Sequence, residues 1–310
     1  MADFHNSRRQ FVKLVGAGCL TGTGVAGGWW PWRTAVPALI RRDSPPRILK
    51  SLKINMIKPG DSLSEKFRIA RDAGFEGVEM NSPGMDVGET RAAIRDTGLP
   101  VDGTVCSTHW SVTHTSPDPD VRAQALRDLQ TAIRDTHAVG GNTALLVVGV
   151  GGDGPQEEIW PRAIENISQA LPLAARLGVY VAIENVWNRF LYDHDGDANQ
   201  DAGQYARFVD ELNSPWVGMQ FDIGNHWKYG DPAEWIRTLG KRIVKLDVKG
   251  YSRANQNWAA IGEGDIDWAG VRQALHDIDF TGWAAAEVGG GNAEQLATIS
   301  RQMDRAFDLG

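Results

Sequence analysis

The sequence predicts an α/β protein closed into a (β/α)₈ barrel. Three observations carry that reading. From Lys53 onward short apolar runs alternate with longer segments of helical period, and eight such runs can be placed. Eight repeated βα units suit closure, whereas an open doubly wound sheet would carry a Gly-x-Gly-x-x-Gly turn after an early strand, and none follows the first three expected strands. The strands are expected near Ile54-Ile57, Gly77-Met80, Val101-Cys106, Ala144-Val148, Val179-Glu184, Val217-Asp222, Ile243-Val248 and Trp283-Glu287. Amphipathic stretches between them, among them Leu63-Asp72, Val121-Ala138, Glu157-Leu177, Asp201-Leu212 and Trp268-Ile278, are expected helices. Gly74, Gly98, Gly140 and Gly178 stand where left-handed C-caps belong, each shortly before a strand. Asp231-Pro232 opens a further helix with a capping residue and a proline in its first turn.

The chain has 310 residues, and one such barrel takes about 250. The surplus lies at the N-terminus. Ser7-Arg8-Arg9-Gln10-Phe11-Val12-Lys13 resembles a twin-arginine export motif, and a Gly-rich, weakly apolar stretch from Leu14 to Gly28 follows it. Residues 1-38 are therefore expected to be a signal peptide, with Val36-Pro37-Ala38 as an imperfect processing site, residues 39-52 a linker, and residues 53-310 the barrel. The expected partner of that segment is the twin-arginine export machinery, and the expected location is periplasmic or secreted. Removal of the signal would leave Cys106 as the only cysteine, so no disulfide framework exists. Net charge is -7 with no basic run in the body of the chain. That argues against nucleic acid as a partner.

Active sites of this architecture lie at the C-terminal rim, so acids at strand ends stand out. The fifth strand meets Glu184, the sixth Asp222, the seventh Asp247, and the eighth ends at Glu287. A carboxylate after several apolar residues is costly to bury alone, and four converging on one rim would repel. A bound divalent cation is the simplest compensation, and oxygen donors favour Mn²⁺ or Mg²⁺ over thiolate-seeking metals.

Residues 53 to 305 resemble the xylose-isomerase-like superfamily of sugar epimerases and isomerases. The resemblance rests on Ile183-Glu184-Asn185, Phe221-Asp222-Ile223-Gly224-Asn225 and the strand end at Glu287. It implies one divalent cation, Mn²⁺ first with Mg²⁺ or Co²⁺ as alternatives, held by Glu184, Asp222, Asp247 and Glu287. It also implies a small carbohydrate as substrate. The seventh strand departs from the family, which usually reads His-x-His or His-x-Lys where this chain has Asp247-Val248-Lys249. A carboxylate there makes the site harder and more negative. His226, four residues after Asp222, competes with Asp247 for the ligand position and otherwise faces substrate or supports a ligand.

Further residues carry substrate-side expectations. His109 follows the third strand, where the family often places a substrate histidine, and Asn225 stands where a substrate-contacting His is frequent. Glu79 is expected to bond substrate hydroxyls or a supporting donor, Lys249 to neutralise Asp247 or face substrate, and Arg253 to match a substrate-binding arginine by spacing. Trp110, Trp187, Trp227 and Trp258 all follow strand ends, and an indole face covers the C–H face of a sugar. Phe190 stands where ketose epimerases usually carry a substrate-binding Glu.

The resemblance implies proton transfer beside a carbonyl through an enediolate, with Glu184 and Glu287 as the catalytic acid–base pair. Return of the proton gives isomerisation or epimerisation. Loss of a β-substituent would instead make the protein a 3-keto-glycoside lyase or an inosose-type dehydratase on the same site. A non-catalytic carbohydrate-binding barrel is the alternative of another class. The DNA-repair endonucleases that share the barrel use a His-rich metal cluster, and seven His in an acidic chain argue against that use.

Overall fold

A computed structural model describes residues 47–310. The twin-arginine segment expected at 1–38 and the linker residues up to 46 lie outside the described residues. In chain order the barrel strands are β1 (Ile48–Lys53), β2 (Gly77–Ser82), β3 (Val101–Cys106), β4 (Thr143–Leu146), β5 (Tyr180–Glu184), β6 (Val217–Asp222), β7 (Ile243–Val248) and β10 (Gly282–Ala286). They close in the order β1-β10-β7-β6-β5-β4-β3-β2, every pair parallel. β8 (Gly250–Ser252) and β9 (Asn257–Ala259) form a separate antiparallel hairpin between β7 and the next helix. The ring of helices comprises α1 (Leu63–Asp72), α2 (Val87–Thr97), α3 (Pro119–Val139), α4 (Gln156–Ser168), α5 (Leu171–Leu177), α6 (Gly203–Glu211), the short α7 (Ile223–Trp227), α8 (Pro232–Leu239), α9 (Trp268–Asp277) and α10 (Ala293–Phe307). No helix among the described residues is long and apolar enough to cross a membrane.

Seven of the eight expected strands overlap the observed ones closely, and the first does not. The segment expected to be a strand, Ile54-Ile57, begins instead as a 3₁₀ turn over Ile54–Met56, and the strand is Ile48–Lys53. Its polarity disguised it. Lys50 points out of the barrel to Ser300 (2.8 Å) and Asp304 (2.5 Å) of α10, while Ser51 and Lys53 point inward to partner acids. The helix expected across Glu157-Leu177 is two helices, α4 and α5. Pro172 in the first turn of α5 has no N–H to bond back and would crowd the carbonyl of Ser168. Asp231 caps α8 through a bond from Ala233 N–H, and Gly98, Gly140 and Gly178 take the left-handed C-cap conformation, as the sequence predicts.

Two register shifts aim charged groups into the barrel. Between β2 and β3 the partners step from Val78↔Val101 to Glu79↔Gly103, which leaves Asp102 as the extra residue. Between β6 and β7 they step from Met219↔Ile243 to Gln220↔Lys245, which leaves Val244 extra. Bulges of this kind re-aim side chains. The Lys245 ammonium, fully buried, lies 2.6 Å from Glu79 and 2.7 Å from Asp102. Ser51 Oγ donates to Asp102 at 2.5 Å. Gly103 is required beside this layer, because a Cβ there would collide with Thr143 Oγ1 and the Thr143 carbonyl.

Breaking a buried ion pair leaves an uncompensated charge. Lys245→Met strips both Glu79 and Asp102 of a cation, so stability measured by urea unfolding is expected to fall by about 3–5 kcal/mol. A loss within 1 kcal/mol or so would show that the interior layer tolerates bare carboxylates.

Candidate active site

The C-terminal rim opens as a cleft of about 530 Å³, lined by residues from the ends of β1, β2, β3, β5, α7, β7 and β10. Glu184 and Glu287 line it, and together with the fully buried Asp222 and Asp247 each offers one carboxylate oxygen, all within 4.8 Å of one another. Local structure fixes each acid. Asp222 is clamped through its backbone by the Asn185 amide, which accepts from Asp222 N–H (2.8 Å) and donates to Asp222 O (3.0 Å). Its side chain caps α7, accepting from Asn225 N–H at 2.7 Å. Asp247 accepts from Gln220 Nε2 on one oxygen (2.9 Å) and from Lys53 Nζ on the other (2.9 Å). Glu287 follows β10 and pairs with Lys249 at 2.6 Å, with Lys53 at 3.9 Å.

Two lysines thus thread the cluster. Lys249 bridges Asp222 (2.8 Å) and Glu287, and Lys53 bridges Glu79 (2.7 Å) and Asp247. Glu184 has no ion-pair partner among the described residues, and its one side-chain bond is a long contact from Asn225 Nδ2 at 3.5 Å. Its environment shows in its acidity. Burial, with the Glu287 and Asp247 charges beside it, raises the Glu184 carboxyl well above the ordinary range. Burial raises Asp247 to about 7 and Asp222 to about 6 against the opposing pull of Lys53 and Lys249. Glu287 moves the other way, because the two ammonium groups outweigh its burial. Glu79 goes down to about 2, Lys245 and Lys53 overcoming its desolvation.

The donor set fits a hard divalent cation. Glu79, Asp102, Glu184, Asp222, Asp247 and Glu287 face Lys53, Lys245 and Lys249, so with all six ionised three negative charges stand uncompensated. One divalent ion would offset two of them, at the place where four oxygens already gather.

The cleft also gathers His109, Trp110, Trp187, Asn225 and Lys249 of the residues the sequence singles out. His109 is buried, and its Nδ1 accepts from Val147 N–H at 3.1 Å. That bond places the proton on Nε2, so the ring is a neutral donor. Trp187 bonds Asn225 O through Nε1 (2.8 Å) and stacks on Trp258 at 4.8 Å.

Three residues with substrate-side expectations lie outside the cleft lining, and for two of them, Glu79 and His226, the structure shows the supporting alternative. His226 lies on α7, which winds directly out of its Asp222 cap and turns the imidazole into the core. There it is fully buried, stacked 3.6 Å from Trp235 and bonded to Tyr192 OH at 3.0 Å. It is off the cleft and away from the carboxylate cluster, so it does not compete with Asp247. Arg253 sits on the hairpin turn with its guanidinium over Trp227 (3.6 Å) and bonded to Trp227 O and Gly230 O, which pins the hairpin to α7. Glu79 is fully buried, held by Lys53, Lys245 and Gln220, which is the supporting-donor role among its two expectations. Trp227 likewise donates to Asp265 under Arg253. Phe190 is buried against Phe208.

Sequence reasoning missed Lys53, Asn81, Lys58 and the supporting Gln220, Lys245 and Asp102. Asn81 and Lys53 stand at the ends of β2 and β1, and a correct first strand would have marked Lys53. Lys245 carried a signal, since a lysine inside an apolar strand needs a buried acid.

A closed parallel barrel whose rim carries a carboxylate-lined cleft defines an α/β-barrel protein with a cation-competent pocket. The chain belongs to the xylose isomerase-like TIM barrel family, whose profile matches residues 67–306. It is 25% identical over 241 residues, 71% of this chain and 82% of the other, to an Escherichia coli K12 protein provisionally named L-ribulose-5-phosphate 3-epimerase SgbU. It is 29% identical over 127 residues to the D-psicose 3-epimerase of Enterocloster bolteae, covering 41% of this chain and 39% of that one. Among solved structures, D-allulose 3-epimerase from Methylomonas sp. superposes with a TM-score of 0.69 at 18% identity, covering 84% of this chain and 99% of that one. The 3-keto-D-glucoside 4-epimerase YcjR of E. coli gives 0.69 at 17% identity, covering 84% and 98%. These last two likenesses concern the fold.

The neutrality of His109 is directly measurable. Burial, reinforced by Lys53, pushes the imidazole down to about 3, well under the ~6.5 of an unfolded histidine. The unfolded chain therefore binds the extra proton between these values, and this residue's contribution to stability falls as pH drops below about 6.5. Nitrogen chemical shifts of His109 are expected to hold a single neutral, Nε2-protonated form from pH 8 down to pH 5. A titration midpoint near 6.5 would contradict the burial argument.

Proposed function

We propose that the protein is a divalent-metal-dependent sugar isomerase or epimerase that moves a proton at the carbon next to a carbonyl. The observation that carries the reading is the convergence of Glu184 and Glu287, which line the cleft, with the buried Asp222 and Asp247, beside the neutral donor His109 and the cation Lys249 of the cleft wall. Family membership and relatives named as sugar epimerases support it. The ligands would be these four acids and the ion Mn²⁺, with Mg²⁺ or Co²⁺ as alternatives. When bound, such an ion supplies Lewis-acid stabilisation of the enediolate oxygens.

The remaining steps belong to the chain's own groups. Glu184 and Glu287 reach in from separate strands and exchange the proton with the substrate carbon. The environments of the two differ: Glu287 is flanked by ammonium groups and Glu184 is not. His109 offers its Nε2–H to a substrate oxygen, Lys249 holds Glu287 and Asp222 in register, and Asn225 and Trp187 shape the cleft wall. A second reading, lyase chemistry on a 3-keto-glycoside, is favoured by Phe190, which removes a carboxylate that ketose epimerases in the resemblance usually place against substrate. We further propose that residues 1–38 are a twin-arginine signal and that the enzyme acts on carbohydrates outside the cytoplasm.

Two measurements test this. Titration calorimetry with Mn²⁺ is expected to show affinity rising from pH 5 to pH 8, because a cation must displace protons from carboxyls such as Asp222 and Asp247, raised to about 6 and 7. In D₂O, metal-dependent exchange at the carbon next to the carbonyl is expected for candidate ketoses or 3-keto-glucosides. Glu184→Gln should lower its rate by roughly 10²–10⁴-fold. Sugar binding without exchange for any candidate would leave a binding protein instead.

A further inference from the structure

Lys53 is a cation of the cleft to which the steps above give no chemical task. It ends β1, lines the cleft together with Glu184, His109 and Glu287, and keeps 12% of its side chain exposed. Lys245, which shares Glu79 with it, is fully buried and absent from the cleft lining. An ammonium carries three N–H groups and accepts nothing. Those of Lys53 face two fully buried acids, Asp247 at 2.9 Å and Glu79 at 2.7 Å. Glu287, at 3.9 Å, is beyond hydrogen-bond distance. One donor is therefore left over, and the open side of the ammonium is the cleft.

The order of the barrel sets what that donor faces. β1 and β5 are four strands apart in either direction around the ring, so Lys53 and Glu184 enter the cleft from opposite walls. They are near enough for each charge to act on the other. Burial works against the Lys53 proton, and Asp247, Glu79, Glu287 and Glu184 together outweigh it. The two do not pair directly, since among the described residues the ion pairs of Lys53 are with Glu79, Asp247 and Glu287. What separates them is the cleft itself. Lys249 is placed differently. It follows β7, two strands from β5, and is engaged by Asp222 at 2.8 Å and Glu287 at 2.6 Å.

Resting on the proton-transfer reading above, we propose that Lys53 is a further catalytic residue, which donates an N–H to the substrate oxygen on which negative charge develops. With Glu184 on the opposite wall, electrons move in one direction across the bound sugar. Glu184 takes the proton from the carbon next to the carbonyl, the C–H pair becomes the C=C bond of the enediolate, and the carbonyl π pair moves onto oxygen. Lys53 stabilises that oxygen by a hydrogen bond and keeps its own proton. Return of a proton to carbon reverses the flow. A charged donor fixed before the reaction, here by Glu79 and Asp247, contributes most where charge forms and needs no reorganisation at that moment.

The test uses the full chain loaded with Mn²⁺, deuterium exchange into D-allulose, D-tagatose and methyl 3-keto-D-glucoside as the rate, and titration calorimetry for the ion. Lys53→Met should lower kcat for exchange by roughly 10²–10³-fold while KM holds, the signature of a contact made only in the transition state. Mn²⁺ affinity should hold or rise, because a cation leaves the side of Asp247. Lys53→Met combined with Glu79→Gln removes one anion along with the cation, so the interior keeps its charge balance. Measured against Glu79→Gln alone, it carries the same expectation and serves where the single variant does not fold. A kcat that survives the loss of Lys53 overturns this role and leaves the enzymatic reading standing. Weakened Mn²⁺ binding together with a raised KM also overturns it, making Lys53 a support for Asp247 only. Absence of exchange from the native chain with every sugar overturns the enzymatic reading and this role with it.

Discussion

The rim depends on how the barrel interior compensates buried charge. Lys245 lies between Glu79 and Asp102, and Lys53 lies between Glu79 and Asp247, with Gln220 bonding both Glu79 (3.0 Å) and Asp247. Ser51 completes the far side through Asp102. This layer joins β1, β2, β3, β6 and β7 where such barrels ordinarily pack branched apolar side chains. Apolar side chains of similar volume would be at least as stabilising, since desolvation cancels much of an ion pair's attraction. What the network provides is orientation. Every member is fixed by the others, so Asp247 is held from beneath by two donors rather than by packing alone.

That dependence runs back to backbone geometry. A strand alternates its side chains, and a one-residue slip turns each to the other face. The bulge at Asp102 lets Asp102 and the cleft-lining Val105 both face inward, and the bulge at Val244 sets Lys245 and Asp247 on the interior. The fold's irregularities lie directly under the site and aim its charges.

Much of this was legible in the sequence, for definite reasons. β3, β6 and β7 are short runs rich in Val, Ile, Leu, Met and Phe, bounded by Gly, Pro, Asn or Ser turns, and their ends were readable to the residue. The four acids were readable because each ends such a run. β1 was not, because Lys50, Ser51 and Lys53 give it the polarity of a linker, and their partners Asp304, Asp102 and Asp247 are remote in the chain. His226 and Arg253 were misplaced because spacing along a loop says nothing about the turn it makes. One cap at Asp222 starts α7 and sends His226 to the core, and Trp227 and Gly230 carbonyls capture Arg253. The hairpin carrying Trp258 had no alternation long enough to announce it.

The departure on β7 shows how such a remote partner changes a chemical conclusion. Read alone, Asp247 in place of an imidazole makes the site both harder and more negative. The first half stands and the second is tempered. Part of the added charge is met by Lys53 at 2.9 Å, which it shares with Glu79 and whose ammonium is held charged by Asp247 and Glu79 in spite of burial. The position presents oxygen where an imidazole would present nitrogen. In the proposed role this shifts the cluster's donor preference toward hard ions. It also brings an ammonium within 3.9 Å of Glu287, whose carboxyl it helps lower while that of Glu184 stays raised, and so accentuates the contrast between the two proposed catalytic acids. A one-residue departure in the motif thus acts through a strand whose own identity the sequence concealed.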